Sequence, residues 1–324
     1  RFYENKGIKT EGSFFAKATQ GISEGFMGFI DLQIRTIEYE VSGQVAGPDF
    51  FSVDDNFLFF NPKAGLTYQV ASGQKIYFSY AKAQREPNRT DYENGTPKPE
   101  KLDDFELGWR INTPKLQAQT NVYWMEYKDQ LVLTGAIDAV GSPIRQNVGK
   151  SRRIGIELEF KINLNSNWLW QPNIALSSNQ NLDFYFKRDG VLENLGKTQL
   201  AYSPNLVGGN AIMYVPSTRF QIGLLSKYVG KQYMGNIDSE NSTLSAYFVN
   251  DLSAVYTWQP NKWIQEIKWS LLMNNIFNAQ YESNGYFYTF DDTWSAPGQV
   301  TTVEGAGYYP QAGINFLTGV MLRF

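Results

Sequence analysis

The chain has 324 residues with no Cys and no His, 29 Lys and Arg against 32 Asp and Glu, and an aromatic content of 15%. Without imidazole or thiol there is no Ser-His-Asp or Cys-His triad, no thiolate or imidazole zinc site, no thioredoxin-type motif and no disulfide framework. A net charge of -3 with no polybasic run argues against a nucleic-acid surface, and no stretch approaches the ~20 apolar residues of a transmembrane helix.

The opening Arg1-Phe2-Tyr3-Glu4 is neither a signal peptide nor an initiator Met, so the chain reads as a piece of a longer polypeptide. Along it, strict alternation of apolar and polar residues replaces helical periodicity almost everywhere. Ile76, Phe78 and Tyr80 begin the pattern weakly. Phe105, Leu107, Trp109 and Ile111 then oppose Asp104, Glu106, Gly108 and Arg110. The clearest run places Ile154, Ile156, Leu158, Phe160 and Ile162 on one face and Arg153, Gly155, Glu157, Glu159 and Lys161 on the other. Phe220, Ile222, Leu224 and Tyr228 repeat it, as do Leu252, Ala254, Tyr256 and Trp258, and finally Ile314, Phe316, Val320, Leu322 and Phe324.

These runs predict about thirteen strands, at 11–22, 25–43, 57–72, 74–86, 101–112, 115–134, 144–163, 167–186, 196–215, 218–234, 244–259, 264–283 and 310–324. Many are long enough for a tilted bilayer crossing, which takes about 9–11 residues. Connections at 21–24, 71–74, 112–115, 163–167, 215–218 and 259–265 are short; those at 44–56, 87–100, 135–143, 187–195, 235–243 and 284–309 are longer and polar. Short ends and long ends take turns, as in an antiparallel transmembrane β-barrel. A soluble sandwich or small barrel would have to crowd Trp109, Trp124, Tyr256 and Trp258 inward, whereas a membrane barrel sets such rings at the interface and turns its charged face into a wet or plugged lumen. The all-β membrane barrel is therefore the expected fold.

The segment Asn61-Pro62-Lys63-Ala64-Gly65-Leu66-Thr67-Tyr68, with Tyr77-Phe78-Ser79-Tyr80, resembles a barrel segment of TonB-dependent receptors, as does Pro99-Glu100-Lys101-Leu102 leading into Phe105-Glu106-Leu107-Gly108. Asn274-Asn275-Ile276-Phe277-Asn278 with Tyr281, and the ending Tyr308-Tyr309-Pro310-Gln311-Ala312-Gly313 running to Phe324, are similar to the last two strands of such receptors in Bacteroidetes-type bacteria. The resemblance implies that residues 1–324 are the C-terminal part of a 22-stranded barrel in the bacterial outer membrane. The N-terminal plug and TonB box would then lie outside this chain. It implies energised import of a scarce large nutrient, with a ferric siderophore favoured over cobalamin or an oligosaccharide. The implied partners are the TonB-ExbB-ExbD complex through the missing part, surrounding lipid and lipopolysaccharide, an extracellular nutrient ligand and a possible surface lipoprotein. It also marks Phe316, Val320, Leu322 and the terminal Phe324 as the signal read by the barrel-assembly machinery. No catalytic, metal or cofactor site is expected.

Gly149-Lys150-Ser151 suggests a phosphate loop, but Ile144 stands where that loop needs Gly, so Lys150, Arg152 and Arg153 are assigned to the rim or lumen. Asp49, Asp54, Asp55, Asp238 and Glu240 match no EF-hand spacing and read as solvated loop acids. Glu157 and Glu159, with Arg153, Lys161, Glu106 and Arg110, read as a luminal ion-pair network rather than an acid–base pair. Candidate ligand contacts are Arg85, Arg89 and Tyr92 around the 87–100 loop, Tyr233, and Tyr286, Tyr288 and Trp294 between the last two strands. A passive porin and a soluble carbohydrate-binding β-protein are the alternatives.

Overall fold

The computed structural model describes residues 4–44, 50–138, 141–260 and 263–324; Asp49 lies outside them. A single antiparallel meander dominates: β1 Glu4–Ser23, β2 Phe26–Gln44, β3 Phe50–Ala71, β4 Gln74–Arg85, β5 Glu100–Asn112, β6 Leu116–Ile137, β7 Pro143–Asn163 and β8 Trp168–Arg188 pair in chain order. The same wall continues through β10 Leu206–Ser217, β11 Phe220–Val229, β14 Tyr247–Trp258, β15 Glu266–Asn274 and β18 Asn315–Arg323. The smaller elements all sit in the long connections. They are the helix α1 Arg89–Glu93, β9 Val191–Gln199, the pair β12 Gln232–Tyr233 and β13 Thr243–Leu244, a 3-10 turn Glu240–Ser242, and the hairpin β16 Glu282–Asp292 with β17 Thr301–Pro310.

Among the described residues thirteen strands form the wall, matching the number predicted from alternation. The short connections are at the expected end. Glu24-Gly25 and Ser72-Gly73 turn tightly because Gly25 and Gly73 take φ of 74° and 73°, which a side chain with a Cβ rarely adopts. β1 and β3 begin at Glu4 and Phe50, well before the expected 11 and 57, β11 ends at Val229 rather than 234, and β18 begins at Asn315 rather than 310. Three further differences change the path of the chain. The strand expected at 196–215 is two: β9 folds back on the top of β8, and β10 then takes over the pairing below. The strand expected at 264–283 stops at Asn274, because Asn275 and Asn278 adopt φ of 50° and 51°. Asparagine tolerates that conformation, and its side chain here replaces the lost ladder: Asn275 Nδ2 donates to the carbonyls of Ala279 and Ala312, and its Oδ1 accepts from Ala279 N–H. The polar 284–309 connection contains the β16–β17 hairpin instead of a loop.

One face of the lower wall is an exposed apolar surface. Ile154, Ile156 and Leu158 lie opposite Trp124, Val122 and Thr120 on one side and Ser178, Leu176 and Ile174 on the other. Glu106, Arg110, Glu157, Glu159, Arg153 and Lys161 occupy the opposite face, as expected, but they form no network of salt bridges. Arg110 stands over the Tyr77 ring at 4.8 Å and Arg153 over the Tyr127 ring at 5.7 Å. The cross-strand neighbours supply no opposite charge, Lys75 and Gln119 flanking Arg110, Met125 and Asn179 flanking Arg153, and Ser79 and Tyr123 flanking Glu106, and both arginines make cation–π contacts instead.

Higher up, the faces exchange character without a change of register. On β2, Ile30, Leu32 and Ile34 are exposed with Asp31, Gln33 and Arg35 behind them; from Thr36 onward, Thr36, Glu38 and Glu40 continue the exposed row and Ile37 and Val41 are buried. Phe59 of β3 is buried on the same side. Apolar solvent faces the outer surface only as far as this level. Above it, water is outside and the folded-in connections cover the inside.

Candidate ligand-contact surfaces at the mouth of the wall

Two caps formed by the long connections lie at the upper end. The first is the 86–99 connection, which folds over the charged face of β1–β3. Its helix α1 begins with a reciprocal capping box: Asn88 Oδ1 accepts from Asp91 N–H at 3.1 Å and Asp91 Oδ2 accepts from Asn88 N–H at 2.9 Å. Asp91 is buried and is met by Arg145 of β7 through Nε at 3.0 Å and Nη2 at 3.1 Å, a two-point contact. Tyr92 lies beneath, stacked on Tyr39 and donating its hydroxyl to Asp55 at 2.5 Å. Burial, reinforced by that carboxylate, pushes the Tyr92 hydroxyl far above the ordinary tyrosine range.

Around the helix the charges pair. Lys9 Nζ reaches Glu86 at 2.5 Å, Arg85 pairs with Glu100, and Arg89 meets Glu93 at 3.1 Å and Asn5 at 3.3 Å. Burial pushes the Glu86 carboxyl upward, but the hydrogen bond from Lys9 and the charges of Lys9 and Arg35 outweigh it and hold the group below its usual value. Lys9, Arg85, Arg89 and Arg145 together line a cavity of about 290 Å³ whose acids are Glu86 and Asp91. The structure therefore brings Arg85 and Arg89 together and buries Tyr92 as a support beneath them. The sequence reading missed Lys9, Asp91 and Arg145. Asn88 and Asp91 at capping-box spacing were a readable signal for the helix; the long-range partners had none.

The second cap has an apolar core: Val132, Val148, Phe184, Phe186, Leu200, Met234, Ile237, Leu244 and Phe287 are all buried. Asn181 and Asn236 fasten its polar interior, Asn236 linking the carbonyl of Leu133 to the N–H of Ala201. The β16–β17 hairpin lies against this core with Phe287 and Thr289 inward. Glu304 of β17 accepts from Ser239, from Asn241 at 3.0 Å and from Arg188 at 3.3 Å. Burial raises the Glu304 carboxyl, yet those hydrogen bonds and the guanidinium together leave it below its usual range.

The other face of the hairpin is aromatic. Tyr286 stacks beside Tyr288 with centroids 6.3 Å apart, Tyr288 beside Phe290 at 6.4 Å, and Phe290 beside Trp294 at 5.8 Å with rings parallel to 2°. Tyr286 and Tyr288 lie flat across Gly307 and Gly305 of the facing strand, where an added Cβ would overlap the rings. Of the predicted contacts, Tyr286, Tyr288 and Trp294 thus share one surface. Tyr233 instead pairs in the β12–β13 ladder with Lys231 over its ring, and its carbonyl accepts from Tyr202 N–H. Arg85, Arg89 and Tyr92 belong to the first cap. Phe316, Val320 and Leu322 line the exposed face of β18 opposite Met273, Trp269 and Ile267, and Phe324 follows, exposed.

Among the described residues no cluster of three or more acids is arranged to hold a metal ion. The wall, its apolar band and its mouth define an outer-membrane β-barrel of the receptor type. The chain belongs to the TonB dependent receptor-like β-barrel family, whose model matches residues 3–279. It is similar to the pesticin receptor of Yersinia enterocolitica, 25% identical over 190 residues, covering 58% of this chain and 26% of the relative; the counterpart in Yersinia pestis is 24% identical over 194 residues. The chain therefore spans about a quarter of the length of the curated relatives it matches. In fold it is similar to the siderophore receptor PiuA of Acinetobacter baumannii, at TM-score 0.71 and 16% identity, over 98% of this chain and 44% of that one. It is also similar to the ferric yersiniabactin uptake receptor FyuA of Yersinia pestis, at TM-score 0.64 and 19% identity, over 98% and 47%. Its place is the bacterial outer membrane, with the apolar band of the wall against lipid.

Proposed function

We propose that the protein imports an anionic ferric siderophore across the outer membrane, energised through TonB. The observation that carries this reading is the cavity at the mouth lined by Lys9, Arg85, Arg89 and Arg145, on the charged face of the wall. The lining carries four cations against the acids Glu86 and Asp91, each cation partnered within the chain. The excess of positive charge around that opening suits a ligand whose iron-binding groups are ionised. The aromatic face of Tyr286, Tyr288 and Trp294 supplies a second surface, suited to the flat rings of a catecholate or phenolate ligand. Relatives named as siderophore and ferric yersiniabactin receptors support the same substrate class.

In this reading, residues 1–324 form the C-terminal part of a larger barrel. Edge strands β1 and β18 each have one wall partner among the described residues, and further strands plus a plug from the preceding polypeptide would close the wall and gate it. No covalent step is involved. The barrel-assembly machinery would read the exposed row ending in Phe324.

The test is uptake of radiolabelled iron, carried by catecholate and phenolate siderophores, into iron-starved cells that produce the full-length protein. Uptake that disappears when TonB is inactivated or Arg85 and Arg89 are both changed to Gln supports the proposal. Iron entry that persists without TonB would assign the wall to a passive channel. Absence of uptake with every siderophore, alongside TonB-dependent entry of another nutrient, would overturn the cargo.

A further inference from the structure

The β16–β17 hairpin has two long edges, and they are treated differently. On an antiparallel ladder successive residues turn their N–H and C=O groups alternately toward the partner strand and away from it. On β16 the residues that turn away from β17 are engaged: the Gly285 carbonyl accepts from the Tyr202 hydroxyl at 2.9 Å, and Thr289 lies in register with Ala136 of β6. Thr302 sets the matching phase on β17, because its N–H leaves the ladder for Asp189 Oδ1 at 2.7 Å. By that phase Glu304, Ala306 and Tyr308 also turn outward. Among the described residues their backbone N–H and C=O groups have no hydrogen-bond partner, and β17 pairs with β16 alone.

Edge strands are commonly blunted by proline, lysine, a bulge or a covering loop. Here Val303-Glu304-Gly305-Ala306-Gly307-Tyr308-Tyr309 contains neither proline nor cation, and its register with β16 is unbroken from Thr301 opposite Asp292 to Tyr309 opposite Asn284. The single charge of that stretch, Glu304, is taken up by Ser239, Asn241 and Arg188. An unprotected edge of this kind is a template for another strand.

The aromatic face leads to the same edge. Gly305 and Gly307 let the rings of Tyr288 and Tyr286 cross β17, with hydroxyls 2.7 and 2.6 Å from where the Cβ atoms of those glycines would stand. Neither hydroxyl is hydrogen-bonded among the described residues. Two side-chain donors therefore stand over a row of bare backbone donors and acceptors.

The position of the edge names its occupant. Wall order places β6 before β15 and β15 before β18, and the cap repeats it as β6, β16, β17. The bare edges of β17 and β18 thus look the same way round the wall, and residues 311–314 join one strand to the other. A wall strand standing beside β18 has only to continue upward to reach β17. Asp189 closes the far end of the edge at Thr302, which limits the added strand to about five residues.

We propose that an extended segment of the polypeptide preceding residue 1, rising from the wall strand that pairs with β18, adds a strand to β17 along 304–308 and accepts hydrogen bonds from the Tyr286 and Tyr288 hydroxyls. The inference rests on the reading that residues 1–324 are the C-terminal part of a larger barrel. It makes the last long connection a clasp onto the upstream part of the mouth and leaves the faces of the aromatic rings to the ligand.

The test uses the full-length protein in outer membranes. The variant Tyr288→p-benzoylphenylalanine is irradiated and its crosslinked peptides are mapped by mass spectrometry, while single-residue hydrogen exchange is read at 304–308 in the parent. The expected result is a crosslink to a peptide upstream of residue 1 in the same molecule. The amides of Glu304, Ala306 and Tyr308 should exchange as slowly as those of Gly305 and Gly307, which bond to β16. Ala306→Pro removes one outward donor and leaves the β16 ladder intact, so it should abolish the crosslink and speed exchange at Glu304 and Tyr308. Fast exchange at all three residues of the parent would overturn the pairing. Slow exchange without a crosslink into the upstream polypeptide, including a crosslink to a separate protein, would overturn the occupant. An undiminished crosslink in A306P would mean proximity without strand addition and would overturn the proposal too. If A306P does not fold, judged by heat-modified gel mobility, the crosslink and the exchange rates of the parent decide. A parent no longer than these 324 residues would remove the larger-barrel reading itself, whereas a missing crosslink in a longer parent leaves that reading standing.

Discussion

The two caps at the mouth are fastened by opposite physics. The 86–99 connection has little apolar surface of its own and is fixed by polar and charged contacts to the wall: Arg145 to Asp91, Lys9 to Glu86, and Asn5 to both Arg89 and Glu93. The β16–β17 hairpin is fixed by burial of Phe287 in a nine-residue apolar core, with polar contacts at its rim. Charge latches are specific and local; they can open without unfolding the wall. An apolar core is indifferent to salt and to small movements, so it suits the platform that presents Tyr286, Tyr288 and Trp294 in a fixed row.

Removing the apolar anchor should have the largest effect. Phe287→Ala is expected to weaken the second cap by about 3–5 kcal/mol, since a large ring leaves a cavity that the hairpin cannot fill. Limited proteolysis should then cut within 284–309, while the 86–99 connection stays protected. Loss of protection in both caps together would show that they form one unit.

The wall gives the next effect and a reference for both caps. Ile156→Arg, on the lipid face, should cost about 2–4 kcal/mol near the bilayer midplane and block assembly, whereas Glu157→Gln on the other face should be mild. Equal tolerance of the two in a vesicle folding assay would reverse the assignment of faces.

Breaking the charge latch comes third. Asp91→Asn removes the two-point contact with Arg145 and half of the capping box, at about 1–3 kcal/mol for a buried charged hydrogen-bonded group. Hydrogen exchange should rise at 88–94 and remain unchanged at 284–292.

Acid should act on the rim of the second cap, with the smallest effect. Glu304 has its folded pKa below the ordinary 4.5, so its contribution is complete above that value and is lost as pH falls through the lower folded value. Hydrogen exchange at 239–242 should therefore increase below about pH 4.5 and be constant above it, and Glu304→Gln should abolish the dependence. A rise between pH 6 and 8 would mean that another group controls this rim.

The wall was legible because its strands carry their own instructions. Ile154 to Ile162 alternate against charge without interruption, and that period fixes both strand and face. The exchange of faces on β2 was also written in the chain, as a one-residue slip from Ile34 to Ile37, but a slip alone does not say which solvent lies on either side. The Asn275 turn hid inside an apparent strand because an αL asparagine leaves no mark in hydrophobic period.

The candidate site was legible only in part. Arg85 and Arg89 could be chosen because they flank a long polar connection, and Tyr286 and Tyr288 because aromatics cluster there. Their surroundings depend on pairs such as Asp91 with Arg145, 54 residues apart, and Arg188 with Glu304, 116 apart, which no local pattern encodes. Alternation by itself determined the meander, its thirteen strands and the two chemical faces, because side-chain period is a property of the strand alone. Only the tertiary structure decided which long-range residues close the mouth and which tyrosine supports and which is exposed, because register and loop packing arise from contacts the chain makes at a distance.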